Sequence, residues 1–270
     1  MLEPLLRAED VVKRYQRGRA FGRSPEVVAL AGVSLAICSG ATLALVGPSG
    51  CGKSTLALCL AGLERVSSGK IWFAGKEVGA LEEKQQRTVR SNIQMVFQDP
   101  ASSLNPRLSA LELVTEPLNI QKRFDEGERR DRSRYFLERV GIRREKMNRR
   151  PGEFSGGQRQ RIAIARALVL DPKVLILDEA LSALDYSVQA QVANLLLELQ
   201  FSLGQTYIFI THDLAMAAHL ADEIAVMDSG RIAEMGVTEH IVDAPQHAVT
   251  RRLLLAARGG NVVASAPQAV

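Results

Sequence analysis

Short apolar runs alternate with helix-period segments along most of this 270-residue chain. Thr42–Val46, Gln94–Phe97, Val174–Leu177 and Tyr207–Thr211 are mostly or wholly apolar. Runs of this length predict strands, and the unbroken ones suit a parallel sheet covered on both faces. Lys70–Ala74 and residues 223–228 read as further strands, and 174–178 and 206–211 as the full extent of two of them. Leu108–Ile120, Gly127–Val140 and Ile162–Leu168 carry helical patterns. The pattern divides the chain into three regions. Residues 1–98 alternate strands and turns, 99–153 are charged and mostly helical, and 154–243 return to strand–helix alternation. Turn formers at Gln98-Asp99-Pro100 and Arg150-Pro151-Gly152 flank the helical insertion. The class is therefore α/β, with no internal repeat. The last residues, 259–270, lack periodicity and are expected to be a disordered tail.

One apolar run leads directly into chemistry. After Thr42–Val46 comes Gly47-Pro48-Ser49-Gly50-Cys51-Gly52-Lys53-Ser54-Thr55, a match to G-x-x-x-x-G-K-[ST]. Glycines let successive backbone N–H groups turn inward around an anion. Lys53 offers a point charge to β/γ-phosphates, and the Ser54 hydroxyl can ligate Mg²⁺. Thr55 and Leu56–Leu58 open a helix whose N-terminal dipole favours negative charge. A chance glycine-rich turn is the bland alternative, but the strand before and the helix after supply the context the motif requires. The sequence predicts binding of ATP or GTP.

Val174–Leu177 ends in Asp178-Glu179. At the carboxyl end of a central strand, Asp178 lies where such sheets place ligands and can hold Mg²⁺. Glu179, one step further out, is positioned to orient or deprotonate an attacking water. Taken alone, the pair could simply cap the following helix. Ser155-Gly156-Gly157-Gln158-Arg159 opens the helical run to Leu168, with Ser155 as a cap and two glycines keeping the first turn bare. That is a second exposed helix N-terminus suited to an anion.

Ser155–Arg159, just upstream of Leu177-Asp178-Glu179, resembles the signature motif of ATP-binding cassette (ABC) ATPases. The resemblance runs from about Leu6 to Ala257. It implies a P-loop NTPase with an N-terminal antiparallel β subdomain and an inserted α-helical subdomain at about 99–153, within one ATPase domain over 1–258. It also implies a head-to-tail pair of nucleotide domains, with Ser155–Gln158 of one subunit closing over the γ-phosphate held by the other. Tyr15 corresponds to the aromatic that stacks on adenine. Gln98 matches the glutamine that reaches Mg²⁺ and the attacking water. Ser182–Asp185 resembles the loop that communicates across the dimer, and His212 matches the histidine that contacts the γ-phosphate. Lys53, Glu179 and His212 are the implied catalytic set, with ATP and Mg²⁺ as the small molecules.

Composition narrows the class. No window holds 18 consecutive apolar residues, so no transmembrane helix is expected, and the N-terminal residues do not read as a signal peptide. Cys38, Cys51 and Cys59 show no paired spacing, as in a reduced compartment. The net charge of +4 arises partly from basic clusters at 129–134 and 143–150. Interleaved acids and an aromatic content of 5 % favour a solvated helix face over a nucleic-acid footprint. Nothing suggests the second cassette, coiled coil or zinc module of cassette ATPases in DNA repair or translation. A non-catalytic binding subunit is disfavoured because Lys53, Asp178, Glu179 and His212 are all present.

The cargo rests on likeness alone. Gln98–Arg107, Ser187–Gln191 and Pro245–Leu254 resemble the peptide and nickel importer family. Cys51 in the phosphate loop and Ala180-Leu181 after Glu179 resemble the second ATPase subunit of nickel importers. The expectation is nickel(II) import, with dipeptide or oligopeptide import as the alternative. His212, His219, His240 and His247 form no evident ligand spacing, as suits an ATPase that drives transport without touching cargo. The implied partners are a second ABC ATPase or a self-copy, two permease subunits and an extracytoplasmic solute-binding protein. The implied place is peripheral, on the cytoplasmic face of the bacterial inner membrane.

Overall fold

The computed structural model describes residues 3–16, 26–99 and 103–257. The disordered-tail expectation for 259–270, the junction at Pro100 and part of the Gln98–Arg107 segment lie outside these residues. The strands are β1 (Leu6–Gln16), β2 (Glu26–Ile37), β3 (Thr42–Val46), β4 (Ser68–Phe73), β5 (Lys76–Glu77), β6 (Ile93–Val96), β7 (Val174–Asp178), β8 (Thr206–Thr211), β9 (Glu223–Asp228) and β10 (Arg231–Val237). The first helices are α1 (Lys53–Leu60), α2 (Glu83–Asn92), α3 (Ala110–Ile120), α4 (Glu126–Arg139) and α5 (Gly156–Leu168). Then come α6 (Tyr186–Leu203), α7 (Leu214–Leu220), α8 (Thr238–Asp243) and α9 (Ala248–Ala257).

Two sheets organise these elements. β2-β1-β4-β5 is antiparallel, and β10-β9-β3-β8-β7-β6 is parallel except for the edge strand β10. Every residue of β3, β7 and β8 is buried, which is why these strands read as continuous apolar runs rather than alternating ones. One core fills the space between the antiparallel sheet, α1 and one face of the parallel sheet. A second joins the opposite face to α3, α4, α5 and α6. Both cores press on β7 and β8, and a third cluster packs Ala44 and Val46 of β3 against α7, α8 and α9, so the carboxyl ends of β3, β7 and β8 are fixed from two sides.

Helix starts follow local rules. Ser109 with Glu112, Asp125 with Glu128 and Ser155 with Gln158 form reciprocal capping boxes at α3, α4 and α5. Asp185 caps α6, which stops at Gly204 in the left-handed region (φ 64°). The strands at 174–178, 206–211 and 223–228 fall where the pattern placed them. Helix α2 was not expected. Its sequence is largely polar, with only Val89 buried, so its apolar stripe is too thin to read.

The basic clusters are partly spent within the fold. Arg132 donates to the Val169 carbonyl and pairs with Asp171, Arg129 donates to the Arg123 carbonyl, and Arg134 and Arg144 pair with Asp131 and Glu138.

Helix α9 is held by one carboxylate on β10. Glu234 accepts the backbone N–H groups of Gln246 (2.7 Å) and His247 (3.0 Å) and the buried Thr250 hydroxyl. Burial pushes the Glu234 carboxyl up, but the hydrogen bonds from Thr250, Gln246 and His247 together outweigh it and hold the group below its ordinary value. A depressed carboxylate contributes stability that is present above the ordinary value of 4.5 and lost as pH falls through the lower folded value. Replacing Glu234 with Gln should cost on the order of 1–3 kcal/mol near neutrality. It should also flatten the loss of thermal stability between pH 5 and 3. A wild-type melting profile no steeper than that of Glu234→Gln over this acid range would contradict the clasp.

Candidate functional site

The phosphate-loop sequence sits between β3 and α1, and its shape is set by what its glycines touch. A Cβ on Gly47 would lie 2.3 Å from the Met227 carbonyl oxygen, and one on Gly52 2.5 Å from that of Ala29. Gly52, the cap of α1, also has φ 110°, and Gly50 has φ 78° with open space around it. Two glycines thus let the loop lie against other backbone, and the third lets it turn. The β9–β10 turn completes the seating, because Gly230 donates to the Cys51 carbonyl (2.9 Å) and accepts from Ala31 (2.8 Å). Reading the sequence missed this clamp. The Asp228-Ser229-Gly230 turn chemistry was legible, but its contact with residues 29–31 and 51 is made only by folding.

Within the loop, Lys53 is 5 % exposed and donates from Nζ to the carbonyls of Gly47 (2.8 Å) and Pro48 (3.0 Å). Cys51 points inward, its Sγ 2.9 Å from where a Gly47 Cβ would be, and burial raises its thiol pKa. Pro48, Ser49 and Gly50 form the exposed rim, with Thr55 partly covered in the first turn of α1. At the head of α1, the Ser54 hydroxyl donates to Asp178 Oδ1 at 3.0 Å. Asp178 is 8 % exposed at the end of β7, and burial pushes its carboxyl up against the lowering effect of Ser54 and Lys53. A hydroxyl and a buried carboxylate at this distance are the oxygen donors a hard divalent cation takes, so the residues fit Mg²⁺.

Glu179 follows with φ 46°, an uncommon left-handed conformation for a residue other than glycine. Its N–H donates to the Ile210 carbonyl on β8 (3.0 Å), and its Oε2 lies 3.9 Å from His212 Nδ1. Gln98, just beyond β6, donates from Nε2 to the Ser182 hydroxyl at 3.3 Å. The ends of β3, β6, β7 and β8 therefore bring Lys53, Ser54, Asp178, Glu179, Gln98 and His212 to one edge of the sheet. This is the crevice where parallel α/β sheets take ligands.

Tyr15 stands to one side, on β1. It is 36 % exposed, with the Lys13 ammonium 4.8 Å from its ring centre. Lys13 is itself held by Glu64 and the Arg65 carbonyl. Tyr15 pairs in register with Val27, two residues from the Ala29 carbonyl that faces Gly52. Ser155–Gln158 belong to another neighbourhood. A Cβ on Gly156 would meet Leu184 at 3.4 Å, and one on Gly157 would lie 2.3 Å from Val188 Cγ1. Gly157 is required by helix packing as well as by an open helix start. We expect Gly157→Ala to lower thermal stability by about 1–3 kcal/mol. Adding Val188→Ala should recover most of that loss in melting experiments. A double variant as unstable as the single one would remove Val188 as the cause.

Among the described residues no helix is long and apolar enough to cross a membrane. Residues 30–182 match the family model described as ABC transporter. The chain is 47 % identical over 256 residues to the di/tripeptide transport ATP-binding protein DppF of Pseudomonas aeruginosa, covering 94 % of this chain and 79 % of that protein. It is 45 % identical over 255 residues to the oligopeptide transport ATP-binding protein AppF of Bacillus subtilis, covering 93 % and 78 %. The dimeric ATP-binding cassette MJ0796 in a post-hydrolysis state with ADP and Pi superposes with a TM-score of 0.76 at 30 % identity, covering 86 % and 98 %. Both curated relatives are named for peptide transport, and neither is named for nickel. The marks that suggested nickel are packing residues, since Cys51, Ala180 and Leu181 are all buried. With the phosphate loop, the carboxylates at the end of β7 and the capped helix α5 in place, the chain belongs to the ABC transporter family, as an ATP-binding subunit with the P-loop ABC ATPase fold.

Proposed function

We propose that this chain is the ATP-hydrolysing subunit of a bacterial importer of dipeptides or oligopeptides. The observation that carries the ATPase reading is the convergence of Ser54 on Asp178 (3.0 Å) beside Glu179 and His212 (3.9 Å). The peptide cargo rests on the relatives, which are 45–47 % identical over nearly the whole chain and named for peptide transport. Nickel has no support among these relatives, and Cys51, Ala180 and Leu181 are buried packing residues.

The chemistry follows from where each side chain stands. Lys53 and free backbone N–H groups of the loop neutralise the nucleotide's phosphates. Ser54 and Asp178, with Gln98 reaching from β6, would hold Mg²⁺, which supplies Lewis-acid charge at the phosphoryl oxygens. Glu179 takes the proton of the attacking water. His212 faces Glu179 and the γ-phosphate, and Tyr15 offers a face for adenine. Ser155–Gln158 serve the nucleotide held by a second cassette, either another ATPase subunit or a self-copy. The assembly includes two permeases and an extracytoplasmic binding protein, with this chain on the inner face of the membrane. Residues 99–153 form an arm that moves with the cycle, and 1–258 act as one ATPase domain.

Glu179→Gln separates these roles. In the assembled complex it should leave ATP binding nearly intact and slow hydrolysis by on the order of 10²-fold or more. Cells carrying only this variant should lose labelled dipeptide or oligopeptide uptake while their nickel content stays unchanged. Parental hydrolysis would overturn the base assignment. Lost nickel uptake with normal peptide uptake would return the cargo to the metal and leave the ATPase reading standing.

A further inference from the structure

The backbone of Glu179 is held in an uncommon conformation by partners that come from two neighbouring strand ends. Its φ is 46°, and its N–H is tied to the Ile210 carbonyl of β8 at 3.0 Å. Its carbonyl accepts twice from one residue, from the Ser182 N–H at 3.1 Å and from the Ser182 hydroxyl at 2.8 Å. That hydroxyl spends its one proton on Glu179 and uses an oxygen lone pair to accept the Gln98 side-chain amide at 3.3 Å. β6 and β7 are parallel, with Val96 opposite Leu177. Gln98 and Glu179 therefore each stand two residues beyond a matched pair, and Ser182 spans the gap between them.

We infer that Ser182 is a positioning residue. It fixes the left-handed turn that aims the Glu179 carboxylate, and it ties that aim to the location of Gln98. The inference rests on the reading of Glu179 as the proton acceptor. A simple turn-closing role would need only the Ser182 N–H, which forms the same i to i+3 bond in any residue. The hydroxyl adds the link to β6. When the segment beyond β6 shifts, the hydrogen bond at 3.3 Å is lost or shortened, and the Glu179 backbone is held less or more firmly. A misplaced base loses rate without losing affinity for nucleotide, because Ser182 touches neither the phosphate loop nor Asp178 among the contacts described for it.

The test is steady-state ATPase kinetics of the assembled complex with Ser182→Ala, Ser182→Thr, Gln98→Ala and the Gln98→Ala/Ser182→Ala pair, with Glu179→Gln measured alongside. Ser182→Ala should lower kcat by about 10-fold to 100-fold with KM for ATP and the melting temperature unchanged. Ser182→Thr, which keeps the hydroxyl, should regain most of the rate. The loss in the double variant should be less than the product of the single losses, since both substitutions break the Gln98–Ser182 hydrogen bond. An unchanged kcat for Ser182→Ala would overturn the inference. So would a threonine variant as slow as alanine, or losses that multiply in the pair. Wild-type hydrolysis by Glu179→Gln would instead bring down the base reading and the inference with it, so the two failures are distinguishable.

Discussion

Backbone meeting backbone at two glycines is the constraint on which the rest of the site depends. At Gly47 and Gly52 a single added carbon would sit 2.3 Å and 2.5 Å from main-chain oxygens of other strands. Main chain cannot swing aside as a flexible side chain can, so the loop has only one seat. That seat fixes where α1 begins, and hence where Ser54 meets Asp178. It also joins the antiparallel sheet, through residues 29–31, to the parallel sheet, through Met227 and Gly230. The nucleotide loop is thus a fastening between two sheets as well as a ligand cradle.

Much of this was legible in the chain because the signals are local. An apolar strand, a glycine-rich turn and a lysine followed by a hydroxyl occupy fourteen consecutive positions, Thr42–Thr55. The buried strands β7 and β8 announced themselves as unbroken apolar runs, and Ser155 announced a helix start. Contacts between distant segments were not legible. The Gly230 clamp, the packing of Val188 against Gly157 and the Gln98–Ser182 hydrogen bond each join segments distant in the sequence. Helix α2 buries only Val89, so no apolar stripe marks it; its signals are the Glu82–Gln85 capping box and a run of polar helix formers.

The residues that suggested nickel carry no physical information about cargo. Cys51 lies under the phosphate loop, and Ala180 and Leu181 are buried beside the carboxylates. Side chains in those places are chosen by packing around the ATP site, which a peptide importer and a metal importer share.

The central claim is that the groups at the ends of β3, β6, β7 and β8 form half of an ATP site that another cassette's α5 start completes, and that this chain's α5 start completes the other cassette's site in return. Sedimentation of Glu179→Gln protein with its cassette partner, with and without ATP, tests it most directly when Gly156→Asp is placed in this chain. The account predicts ATP-dependent association for Glu179→Gln alone. With Gly156→Asp added, that association should be lost while this chain still binds ATP, because bulk and negative charge at a helix start oppose a phosphate. Undiminished ATP-dependent association of the Gly156→Asp protein would contradict the account.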